Sequence, residues 1–140
     1  MRLPAPMRLP DWKPRLIAYL QDAARRPFEM GTHDCCLFAA GAVQAMTGDD
    51  PAAPWRGRYT TLEGGLKLVR KAGFKGYVAM AEAQFAAVHV SLASPGDLAV
   101  IDTDDGPALG VVQGEGIYVL GVDRMGLLPI AAARLILLVA

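Results

Sequence analysis

Apolar positions recur at helical spacing in the first half of the chain and gather in short runs broken by glycine in the second. Trp12, Leu16, Leu20 and Ala23 share one helical face, with Ile17 and Ala24 beside them, which predicts a first helix over about 11–25. Asp11 is its expected N-cap, Pro14 falls in a first turn that tolerates it, and Arg25 and Arg26 suit the negative end of the dipole before Pro27 stops the helix. The stretch from Leu37 to Ala45 leaves no polar face, so a second helix, capped by Thr32 or Asp34 and running to about Met46, is expected to be central and buried. Gly31 marks the turn before it and Gly48 its end. Residues 48–59, with Asp49, Asp50, Pro51, Pro54 and Gly57, read as a loop. Thr60-Thr-Leu-Glu63 reads as a capping box for a third helix over about 61–72, with Leu62, Leu66 and Val69 inward. Ala79–Ala87 reads as a short fourth helix.

After Pro95-Gly96 the pattern changes. Asp97–Thr103, Leu109–Gln113, Ile117–Leu120 and Leu135–Val139 read as strands, with Asp104-Asp-Gly-Pro107 as a hairpin turn. Helices first and a small antiparallel sheet afterwards predict an α+β fold, the helices packed on the sheet. At 140 residues the chain suffices for one domain, assigned to residues 11–140. Residues 1–10, with the near-repeat Arg2-Leu3-Pro4 and Arg8-Leu9-Pro10, read as an extended arm, either frayed or docked on a neighbour.

Charge narrows the choice of partners. Lys plus Arg and Asp plus Glu are equal at 14 each, so no broad basic field exists to attract phosphates, and nucleic acid is not an expected partner. Zero net charge also protects poorly against association, which suits a protein living inside an assembly. No apolar run of secretory-signal length opens the chain, and the apolar stretch Leu127–Ala140 is too short and too interrupted to span a bilayer, so no membrane insertion is expected.

The chemistry centres on Asp34-Cys35 at the opening of the buried helix. A thiol at a helix N-terminus feels the positive end of the dipole, which favours the thiolate and makes it a better nucleophile. Cys35 is therefore the candidate nucleophile; its bland counterpart is a small buried hydrophobe, as free cysteines usually are. The adjacent Cys36 is the one other cysteine, so neither a disulfide framework nor a four-ligand zinc site is available. No metal and no cofactor is expected. The acidic groups Asp49-Asp50 and Asp102-Thr-Asp-Asp105 lack calcium-loop spacing and read as turns. Trp55-Arg-Gly-Arg-Tyr59 mixes aromatics with cations as interface hot spots do, which makes Trp55, Arg56 and Tyr59, with Asp34, candidate binding residues; a packed loop is the alternative.

Gly31-Thr-His-Asp-Cys-Cys-Leu-Phe38 resembles the nucleophile motif of the NlpC-type, papain-like cysteine peptidases of the cell wall, and Ser94-Pro-Gly-Asp-Leu-Ala-Val100 resembles the Pro-Gly-Asp-Leu strand opening of that superfamily. The resemblance runs from about Trp12 to the C-terminus and implies a papain-like fold. It departs at the catalytic base. Where the family's next strand carries His-Val-Gly-Ile, this chain has Ala108-Leu-Gly-Val111, and Ile117-Tyr-Val-Leu120 offers nothing to orient a base. The two histidines, His33 on the loop and His89 between two valines, are candidate bases at unorthodox positions. The motif around Gly31, His33, Asp34 and Cys35, with Ala108-Leu109-Gly110, is also similar to a family of small phage and prophage proteins encoded among tail genes. That resemblance implies a virion tail-tip component, assembled in the bacterial cytoplasm beside other hub proteins. Three functions follow as expectations: a structural or assembly protein without peptidase activity, an active cell-wall peptidase or amidase using Cys35 on peptidoglycan peptides, and a non-catalytic module binding a peptide or glycan.

Overall fold

The computed structural model describes residues 6–104 and 106–140; residues 1–5 of the expected arm and Asp105 of the expected hairpin turn lie outside the described residues. Four helices, α1 (Trp12–Arg25), α2 (Cys35–Thr47), α3 (Leu62–Lys71) and α4 (Tyr77–Gln84), precede six strands. The strands are β1 (Ala86–Val88), β2 (Leu98–Thr103), β3 (Gly106–Gln113), β4 (Gly116–Leu120), β5 (Met125–Pro129) and β6 (Ala133–Leu138). They form one sheet in the order β1-β6-β2-β3-β4-β5, every neighbouring pair antiparallel. The class is α+β, as the sequence pattern predicts.

Strand alternation sorts the core into two layers. Leu98 and Val100 of β2 and Leu109 and Val111 of β3 face Phe38, Ala39, Ala42 and Val43 of α2 and Leu16, Leu20 and Ala23 of α1. Ala99, Ile101, Val112, Ile117 and Ile136 form the second layer, against Val88, Val90 and Ala108. Helix α2 is buried nearly all round, with no polar stripe to turn to water. Gly48 closes it in the left-handed region at φ 86°, where glycine carries no Cβ penalty.

Several elements differ from the sequence reading. Asp11 occupies the N-cap position of α1 without a capping bond; its carboxylate pairs instead with Arg15 at 2.9 Å. The cap of α3 is Thr61, which accepts from Gly64 N at 3.0 Å, one residue later than the expected box. Leu62, expected inward, is 61% exposed. The fourth helix starts at Tyr77 and ends at Gln84, because Ala86–Val88 pairs with β6. Strand β5 was not expected; it pairs with β4 from Gly116↔Pro129 to Leu120↔Met125.

The described part of the expected arm is tied to its own domain. Arg8 N donates to Ala140 O at 2.6 Å and Leu9 N to Met46 O at 2.8 Å. The Arg8 guanidinium reaches Val139 O, Pro95 O and the Asp97 carboxylate, and stacks over Trp12 at 4.1 Å. Asp97 also accepts from Ser94 N and Val139 N, so one buried carboxylate joins the turn before β2, the end of β6 and the N-terminal segment.

Candidate functional site

The loop before α2 is built around Gly31 and Asp34. Gly31 sits at φ 88°, and a Cβ there would collide with the carbonyl oxygen of Tyr59. Asp34, only 2% exposed, caps α2 by accepting from Leu37 N at 2.9 Å. Its other oxygen accepts from Gly31 N at 2.9 Å and from the Tyr59 hydroxyl at 2.6 Å. One carboxylate thus fixes the turn, the helix start and the loop after α2. Arg56 braces that loop through a two-point bond to Asp50, Nε–Oδ2 2.8 Å and Nη2–Oδ1 3.1 Å. Trp55 and Tyr59 pack half-buried on Leu37, Ala40 and Ala52. Of the candidate binding residues, Asp34, Arg56 and Tyr59 therefore hold the fold itself together, and Thr32 takes no part in the cap.

Cys35 is the first residue of α2 and only partly exposed. Its sulfur lies 3.3 Å from the hydroxyl of Tyr77, the first residue of α4. Burial pushes the Cys35 thiol above the ordinary range, only partly offset by that hydroxyl, and the Asp34 charge adds to the rise. This corrects the expectation of a thiol activated at the helix N-terminus: desolvation outweighs what the amides of the first turn supply. Burial pushes Cys36 up as well, with Asp34 and Cys35 contributing. The Tyr77 phenol is raised too, by burial and then by Cys35, against a backbone hydrogen bond from Leu109.

The histidines stand elsewhere. His33 is 2% exposed; its Nε2 donates to Ala23 O at 3.0 Å and its ring lies edge-on to Phe38. His33 therefore pins the loop to the end of α1. His89 is exposed and bonds Ser91 through Nδ1, capping the short turn Val90–Leu92. Neither imidazole is hydrogen-bonded to the Cys35 sulfur. The strand reading also shifts: Ala108 packs in the layer away from α2, and its neighbour Leu109 faces the helix instead. Leucine is no better a base than alanine. Tyr77, which the sequence reading missed, stands where the thiol would look for a partner. Its one local signal is the Gly76-Tyr77 step opening a helix.

Beside Cys35 lies an apolar cavity of about 60 Å³, bordered by Met30, Cys36, Trp55, Tyr59, Leu66 and Met80 among others. Among the described residues, no group of three or more His, Cys, Asp or Glu side chains is placed to hold a metal ion. No helix of the described residues is long and apolar enough to cross a membrane.

A family model described as Domain of unknown function (DUF6950) matches residues 7–139. The chain belongs to the DUF6950 family. No curated protein matches it. The DUF6950 match begins just before Arg8 and ends at Val139, so the segment docked by Arg8 lies within the family domain.

Proposed function

We propose that this domain is a non-hydrolytic building block of a phage-like tail tip, set in the hub region on a papain-like, NlpC-type frame. The observation that carries the loss of hydrolysis is the partner of Cys35. A thiol peptidase needs an imidazole to take the proton from sulfur and return it to the leaving amine. Here the thiol meets a buried phenol whose own proton is held more tightly than usual, and both imidazoles are bonded elsewhere. Base and nucleophile act as a unit, so losing one removes most of the rate. The active cell-wall peptidase or amidase has no comparable observation in its favour. The tail-tip assignment draws on the resemblance carried by Gly31, His33, Asp34 and Cys35 with Ala108-Leu109-Gly110, and on the absence of net charge.

Two experiments test the reading. Purified protein and its Cys35→Ser variant are incubated with peptidoglycan fragments, and released peptides are counted. Equal, background-level release is expected; release that depends on Cys35 would restore the enzyme. For location, particles from producing cells are purified and probed for this chain, with a deletion strain alongside. Presence in particles and failed tail assembly on deletion are expected; normal particles without the chain would overturn the assignment. The cavity bordered by Trp55 and Tyr59 favours one second reading, a module that holds an apolar group of a peptide or glycan.

A further inference from the structure

The cavity beside Cys35 collects sulfur. Of two cysteines and six methionines in the chain, both cysteines and the methionines Met30 and Met80 border this one void. Cys36, Tyr77 and Met80 also border an adjoining cavity of about 30 Å³, so the two voids share a wall. The Cys36 thiol makes no hydrogen bond among the described residues. The remaining walls are apolar or aromatic apart from Asp34, whose oxygens are already bonded to Leu37 N, Gly31 N and the Tyr59 hydroxyl. Asp34 has no cationic partner within 4 Å among the described residues, and its charge bears on both thiols. The site therefore offers soft donors and a negative field, and no free hard ligand.

We propose that this cavity binds a soft monovalent cation of the copper(I) type, held by the Cys35 thiolate and the thioether sulfurs of Met30 and Met80, with the Cys36 thiol, still protonated, lining the same void. Thiolate and thioether donors select such ions over magnesium or calcium, which demand oxygen. Charge argues for a single positive charge: one thiolate neutralises it, so the complex can sit among apolar walls. On binding, the Cys35 S–H bond breaks, its electron pair goes to the sulfur–metal bond, and the proton leaves to buffer. The metal enters as copper(I), so nothing is oxidised or reduced. The Tyr77 hydroxyl stays on the Cys35 sulfur as an outer partner that orients the ligand.

The inference rests on Cys35 being a thiol without a base; Cys35-dependent hydrolysis by metal-free protein would overturn that reading, whereas the binding test below concerns the metal alone. Reduced, metal-free full chain is titrated anaerobically with copper(I) supplied as its bathocuproine disulfonate complex. Transfer of one ion per chain is expected, with a thiolate-to-copper ultraviolet band and protection of Cys35 from alkylation. Met30→Leu and Met80→Leu keep both thiols and similar volume, and circular dichroism checks that they fold. Each is expected to weaken binding about tenfold or more, the least that loss of a ligand should cost when loss of an outer partner costs that much. Cys35→Ser should abolish transfer. Copper binding by the folded double methionine variant equal to the parent, several ions per chain, or equal competition from zinc(II) would each overturn the proposal.

Discussion

Asp34 carries three bonds at one buried point: the α2 cap, the Gly31 amide and the Tyr59 hydroxyl. Asp34→Ala removes a helix cap and strands two donors, so a loss of about 2–4 kcal/mol is expected in urea unfolding, with an unchanged denaturant slope. A loss below about 1 kcal/mol, the size of a cap alone, would mean that the Gly31 and Tyr59 bonds contribute nothing. At Cys35 burial sets the direction. In a Cys36→Ala background, alkylation by iodoacetamide should keep accelerating above pH ~8.5, the free thiol value. Because the Tyr77 hydroxyl favours the thiolate, Tyr77→Phe should move that profile further up and slow alkylation at pH 8. A midpoint near neutrality in either protein would reveal a base near the sulfur. Asp34 and Cys35 were legible in the sequence because a positive-φ glycine, a cap and an apolar run are local signals. Tyr77 was not, because its meeting with Cys35 joins residues 42 apart and depends on where α4 settles.

Elements were legible in proportion to how far their own residues decide them. Helices α1 and α2 follow from periodicity, caps and glycine, and β2 and β3 from apolar runs around a turn. The sequence pattern misplaced Ala86–Val88 because Ala-rich segments suit a helix locally, whereas pairing with β6 makes it a strand. It missed Met125–Pro129 because Gly126 and Pro129 look like loop residues, and pairing with β4 outweighs that impression. The start of α3 is the sharpest case, since Thr60 and Thr61 both fit a cap by type. The bond from Gly64 N goes to Thr61. Thr61→Ala should therefore cost about 1 kcal/mol, whereas Thr60→Ala should leave stability unchanged. Chemical denaturation of the two variants separates them, and a reversed ranking would place the cap where the sequence alone put it.

At the scale of the whole molecule, both ends of the described chain meet at Asp97. Arg8 bonds its carboxylate at 3.2 Å, and Val139 N and Ser94 N share it. Burial raises the Asp97 pKa above the ordinary carboxylate range despite these partners, and lowers that of Arg8. The folded state therefore keeps the Asp97 proton to higher pH than the unfolded chain does. This group's contribution is full below the unfolded value, about 3.9, and is lost as pH rises through the folded value. Arg8 is one of the influences holding that value down, so Arg8→Ala should raise it further and extend the window toward neutrality. The same substitution leaves a buried carboxylate without its cation, a loss of about 1–3 kcal/mol near neutral pH for a partly exposed pair. That loss should shrink on acidification, because a protonated Asp97 no longer needs the guanidinium. Unfolding free energies of the parent and Arg8→Ala at about pH 7 and about pH 3.5, below the unfolded value, measure the difference directly. A deficit that shrinks toward about pH 3.5 means that Arg8 stabilises the junction through the charge of Asp97. An equal deficit at both values means that it does so through its bonds to Val139 O and Pro95 O and its stacking on Trp12, and the electrostatic account would be withdrawn.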